Sequence, residues 1–172
     1  MEPRLTPFDP SAPGDLEWRQ PAALKRAFEL RKGESLVASV EFLKPLGTLA
    51  RARMGGQCWT LQQSGFLNPV VTARKESSDT GIATFRTKWT ARSGELDLNG
   101  ETLLLRALNL WGTQWGLEHP VSGTLLRIQR KGVVHLSARY EVSEAGRSRK
   151  DLDLLLCLTW YVLVLMSQDG AF

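Results

Sequence analysis

Leu152-Asp-Leu-Leu-Leu-Cys-Leu-Thr-Trp-Tyr-Val-Leu-Val-Leu-Met166 holds thirteen apolar residues in fifteen, and the reading of this stretch decides the fold. Its length, and an Asp151 placed to cap a helix N-terminus, favour a helix over a strand. Asp153, in the first turn, complements the positive end of the helix dipole. A helix that is apolar on every side needs burial on every side. A membrane span takes about 20 apolar residues to cross about 30 Å of hydrocarbon. Fifteen residues at ~1.5 Å each reach only ~22 Å, and Asp153 interrupts them. The basic flank Arg147, Arg149 and Lys150, with only six residues after Met166, keeps a tail anchor open as the alternative to a core helix.

Upstream, from about Ala27 to Val142, the chain reads as one short strand after another. Leu36, Ala38, Val40 and Phe42 alternate with Ser35, Val37, Ser39 and Glu41, the period of two that a half-buried strand requires. Ala50, Ala52 and Met54 alternate with Leu49, Arg51 and Arg53, and Ala83, Phe85, Thr87 and Trp89 with Ile82, Thr84, Arg86 and Lys88. Asn99-Gly100, between Leu96–Leu98 and Glu101–Leu105, suits a type I′ turn and predicts a hairpin. A second hairpin is expected at Lys131-Gly132, joining Leu125–Arg130 to Val133–Val142. Turn residues recur roughly every 8 to 12 positions, the spacing of an all-β sandwich or barrel. Small residues on the expected inward faces (Ala50, Ala52, Ala83, Ala138) would let strand backbones approach a central helix closely.

Composition sets outer bounds. At 172 residues the chain has the length of one domain, and 42% hydrophobic residues supply enough apolar surface for a core. Five of its eight prolines fall within the first 21 residues, so residues 1–23 read as an extended arm and 24–172 as a single domain. No basic segment followed by an apolar run stands at the start, which leaves the cytoplasm as the expected compartment. Two cysteines, Cys58 and Cys157, are too few for a disulfide scaffold.

A strand-rich chain followed by a very hydrophobic C-terminal helix resembles the superfamily that contains the tubby C-terminal domain, the phospholipid scramblases and the plant LURP-one proteins. The residues that carry the resemblance are Gly94-Glu-Leu-Asp-Leu-Asn-Gly-Glu-Thr-Leu-Leu-Leu-Arg106, Gln114-Trp115, Gly123-Thr-Leu-Leu-Arg-Ile128 and Asp153–Met166. The resemblance covers about Leu24 to Met166. The resemblance implies a mainly β fold: a closed antiparallel barrel of about twelve strands enclosing the C-terminal helix, about residues 152–166. It does not extend to calcium-triggered scrambling, because the acidic segment beside the helix is reduced to Asp151 and Asp153 and there is no cysteine cluster.

The catalytic inventory is thin. No GxSxG, Walker A, HExxH or GxGxxG motif occurs. His119 is expected in a loop and His135 on the polar face of a strand, so neither forms an evident pair with Cys58 or Cys157. Two histidines and two scattered cysteines predict no metal site, and no cofactor is expected. What remains is charge. The net +4 conceals an uneven distribution: residues 25–92 carry twelve basic and five acidic groups, while the flanking segments are slightly acidic.

Arg51, Arg53, Arg74, Lys75, Arg86 and Lys88 are the candidate anion-binding residues, provided their strands are neighbours. The plainer role for such side chains is to block edge association of strands. Trp111 and Trp115 are the candidates for membrane-interface anchors. The expected function is a non-enzymatic binding module with an anionic phospholipid or membrane surface as partner, and no nucleic acid. The alternatives are a lipocalin-like barrel or barrel enzyme with an open cavity, and a tail-anchored protein.

Overall fold

The computed structural model of the protein describes residues 2–88, 92–132 and 134–168. Twelve antiparallel strands follow one another around a closed barrel, each hydrogen-bonded to its sequence neighbours. The first four are β1 (Leu16–Arg19), β2 (Ala27–Lys32), β3 (Ser35–Phe42) and β4 (Ala50–Met54). Next come β5 (Gln57–Ser64), β6 (Val70–Lys75), β7 (Gly81–Thr87) and β8 (Ser93–Leu98). The circuit is completed by β9 (Glu101–Ala107), β10 (Gln114–His119), β11 (Gly123–Lys131) and β12 (Ser137–Val142). A single turn, α1 (Glu144–Arg147), leads to the helix α2 (Leu152–Gln168).

Closure rests on a strand that the proline content conceals. Residues 16–19 lie within the expected arm, yet β1 pairs with β12 on one side (Trp18 opposite Ala138) and β2 on the other (Trp18 opposite Leu30). The domain therefore begins near Leu16, and Trp18 is fully buried. Other boundaries move for local reasons. In β3 a bulge opposite Leu30/Arg31 interrupts the alternation, so that Val37 and Ala38 are both buried and Leu36 is only half-buried. The β11–β12 connection is longer than a tight turn: Lys131 pairs with Ser137. His135 consequently sits in the loop rather than on a strand, and His119 closes β10 instead of lying in a loop. Trp89 and Val133, both assigned to strands from the sequence, lie outside the described residues.

The Asn99-Gly100 hairpin forms as expected. Leu98 pairs with Glu101, and both turn residues have positive φ, 53° and 77°, as a type I′ turn demands.

The buried faces of the strands and all sides of α2 belong to one hydrophobic cluster. From Leu154 to Met166 every residue of the helix is buried. Trp160 stacks on Trp18 of β1 (centroids 5.8 Å apart) and meets Phe28 of β2 edge-on at 5.5 Å. Tyr161 stacks on Phe42 of β3 at 5.4 Å. The helix backbone comes closest to β3 and β4, whose buried side chains include the small Ala38, Ala50 and Ala52 beside Val37, Val40, Phe42 and Met54; the small residues permit the approach.

Several of the polar groups inside are matched to one another, while the indole N–H groups of Trp18 and Trp160 are buried with no hydrogen-bond partner among the described residues. The Thr159 hydroxyl donates to the Leu155 carbonyl at 2.7 Å and lies 3.1 Å from the Tyr140 hydroxyl, while Tyr161 donates to the Thr48 carbonyl at 2.6 Å. Asp151 stands at the cap position, its carbonyl accepting the Leu155 N–H at 3.0 Å. Its carboxylate, however, is held by Arg149 at 2.7 and 2.8 Å.

Candidate functional site

In an up-and-down meander, successive connections alternate between the two ends of the barrel. The connections 20–26, 43–49, 65–69, 88–92, 108–113 and 132–136 therefore share one rim, which is also where α2 ends. Arg26 confirms the geometry: its guanidinium donates to the Gly47 carbonyl at 2.6 Å and to Gln168 Oε1 at 2.8 Å. The opposite rim carries the connections 33–34, 55–56, 76–80, 99–100 and 120–122, together with the start of α2.

The rims differ sharply. Ten large apolar side chains are exposed among the described residues, and nine of them lie on the first rim; Val121 is the exception. Leu24 projects from the first loop, Leu43 and Leu46 from the second, and Phe66 (97% exposed) and Leu67 from the third. Leu108, Leu110 and Trp111 (80% exposed) project from the fifth, and Val134 from the sixth. None of the six loops contains Asp or Glu, while they include Lys25, Arg26, Lys44, Lys88 and Arg92. Glu34, Glu76 and Asp79 all fall in connections of the other rim.

The loops that present these groups are held in place. Asn109 Oδ1 accepts the backbone N–H groups of Thr113 and Gln114 at 3.1 and 3.2 Å, and Arg92 donates to the carbonyls of Asn109 and Leu110. Arg26 also covers the Phe42 ring at 4.0 Å, and burial lowers its pKa. Arg26 and Arg92 thus serve the loops themselves. Lys25 and Lys44 are exposed and have no ion-pair partner among the described residues.

The cations singled out from sequence fare differently. Their strands β4, β6 and β7 fall within the consecutive run β4-β5-β6-β7, with Lys88 just beyond β7, but most of the charges are already matched. Arg51 pairs with Glu76 at 2.8 Å and Glu2 at 3.5 Å, and Arg53 with Glu2 at 3.1 Å. Arg86 meets Asp97 and Lys88 meets Glu95, each at 3.0 Å. Arg74 and Lys75, both exposed, have no such partner among the described residues, yet Arg86 lies opposite Val70, at the far end of β6 from Arg74. No single basic patch results. Trp111 is a surface group, but Trp115 is 1% exposed in β10 and its indole donates to the Gly112 carbonyl at 2.9 Å; it is a core residue and presents nothing to an interface.

Neither cysteine has the surroundings of a nucleophile. Burial and the nearby Glu76 push the Cys58 thiol up to about 11, where almost none is thiolate at neutral pH. Cys157 is fully buried in α2 and its pKa is likewise raised. His119 Nδ1 accepts the N–H groups of Val121 and Ser122, each at 3.0 Å, and Nε2 lies 3.3 Å from Glu101, so the ring caps its own turn. Among the described residues no group of three His, Cys, Asp or Glu side chains is arranged to hold a metal ion, and no helix is long and apolar enough to cross a membrane.

No protein-family model, curated protein or solved structure matches the chain.

Proposed function

We propose that the protein is a non-enzymatic binding module that docks on an anionic membrane surface through the loop rim bearing Leu46, Phe66, Trp111, Lys25 and Lys44. One observation carries this reading: nine of the ten large apolar side chains exposed among the described residues share a rim whose six connecting loops contain no Asp or Glu. Isolated exposed apolar residues need no explanation, whereas a cluster of them on one surface marks an interaction site. Six loops without Asp or Glu that carry the unpaired Lys25 and Lys44 favour an anionic partner. Withdrawing a Leu, Phe or Trp side chain from water contributes at most about 1.5–3 kcal/mol, and each lysine near an anionic leaflet about 1 kcal/mol. A few of each suffice for reversible peripheral binding, with no spanning segment.

In this reading α2 is the filling of the barrel. A helix buried on every side and stacked on the buried faces of β1, β2 and β3 leaves no lumen for a lipocalin-type ligand, so binding belongs on the outside. The order of barrel and hydrophobic helix is also what supports the resemblance to the tubby, scramblase and LURP-one superfamily.

Vesicle co-sedimentation tests the proposal. Wild type should bind phosphatidylcholine/phosphatidylserine vesicles in preference to pure phosphatidylcholine, less so as salt rises. The triple variant Leu46→Ser, Phe66→Ser, Trp111→Ser should lose binding, and Lys25→Glu with Lys44→Glu should lose the preference for anionic lipid. Equal sedimentation of wild type and triple variant would overturn the reading.

A further inference from the structure

The rim opposite the membrane-docking loops holds a cleft of about 470 Å³ beside the start of α2. Trp59 of β5, Ile82 of β7, Leu98 of β8 and Leu154 of α2 form its apolar lining. Lys75, at the end of β6, and Lys150, in the turn before α2, bring two ammonium groups to it. Both are exposed and without an ion-pair partner among the described residues. Arg149 also borders the cleft, but it is committed elsewhere: Asp151 takes it at 2.7 and 2.8 Å and Glu101 at 2.6 Å. Asp153 borders the cleft as well. It too has no hydrogen-bond or ion-pair partner among the described residues, and burial raises its pKa.

The pattern is that of a small-molecule site: concave, partly apolar, with a few polar groups converging on it. Arg149 is neutralised between Asp151 and Glu101, so the groups left to meet a ligand's head are the two exposed ammonium groups of Lys75 and Lys150, and the apolar lining favours an occupant other than a fully hydrated ion. We propose that this cleft binds a small amphipathic anion, its phosphate, sulfonate or carboxylate head between Lys75 and Lys150 and a compact apolar body against Trp59, Leu98 and Leu154. Asp153 opposes the head group and sets an upper limit on affinity. The site is independent of the membrane rim: it lies at the other end of the barrel and shares no residue with it.

Titration with hexyl phosphate, followed by amide and indole chemical shifts, is the test, with inorganic phosphate and hexanol as the two halves of the probe given separately. Hexyl phosphate should produce saturable shifts at Gln57, Asn99, Lys150 and the Trp59 indole. Each half alone should bind at least about tenfold more weakly, a difference of about 1.4 kcal/mol. Lys75→Glu with Lys150→Glu should abolish saturation, provided its spectrum retains the dispersion of the folded barrel. Asp153→Asn should bind more tightly than wild type, a gain that a merely structural carboxyl would not produce. Lys25→Glu with Lys44→Glu should leave the titration unchanged, so that loss of vesicle binding and loss of cleft binding are separable. Absence of saturable shifts at the cleft, shifts confined to the loop rim, binding of inorganic phosphate equal to hexyl phosphate, or an Asp153→Asn affinity no higher than wild type would each overturn the proposal.

Discussion

Thr159 and Tyr140 show how a single polar pair is accommodated in a core made almost wholly of hydrocarbon. The Thr159 hydroxyl donates to the helix carbonyl of Leu155 and so has a lone pair for the buried Tyr140 hydroxyl 3.1 Å away. Thr159→Val strips Tyr140 of that partner and should lower stability by about 1–3 kcal/mol, the cost of an unsatisfied buried hydroxyl. Adding Tyr140→Phe should recover much of the loss in urea denaturation, because neither group is then left unpaired.

Asp153 gives the opposite case, a charge that the fold tolerates. Its folded-state pKa is raised by burial, and it shares the lining of the cleft with Lys75, Lys150, Arg149 and Asp151. Below the unfolded-state pKa both states are protonated and the group is neutral toward folding; as pH rises through the raised folded pKa, the native state carries a desolvation penalty. Asp153→Asn should therefore raise the melting temperature at pH 7 and leave it nearly unchanged at pH 3.

Among the elements, α2 depends entirely on the barrel and the barrel on α2. No side of the helix from Leu154 to Met166 reaches solvent, so a charge anywhere along it is buried and unpaired. Leu158→Asp should abolish cooperative unfolding or yield insoluble protein. Leu46→Asp, on an exposed loop, should stay within about 0.5 kcal/mol of wild type in the same measurement. The β8–β9 hairpin is set locally instead. Gly100 has φ of 77°, and Gly100→Ala should cost about 1–2 kcal/mol from the left-handed conformation alone.

Taken whole, the molecule has two unlike ends, and that asymmetry relocates the membrane hypothesis. The strand-face cations Arg51, Arg53 and Arg86 face Glu76, Glu2 and Asp97, so their field is largely cancelled at the distance of a bilayer. Their combined replacement by alanine should leave vesicle binding within about twofold of wild type, since exposed matched pairs contribute little beyond each other. The rim variants should remove it.

Alternation in β4 and β7, the Asn99-Gly100 turn and the strongly apolar run at 152–166 were legible in the amino-acid order because each is a local pattern with one favoured conformation. β1 was not. A four-residue strand among prolines has no periodicity to read, and it exists because β12 and β2 supply partners on both sides. The bulge in β3 and the late start of β12 escape for the same reason: register is set between strands. Charge content was evident from the sequence, but which cation meets which carboxylate depends on neighbours across the barrel. The apolar rim is assembled from six loops spread over residues 20–136 that share an end only once the meander closes. Sequence by itself determined a β-rich domain with one helix that must be buried; closure of the sheet decided which residues face each other, and so where a partner can bind.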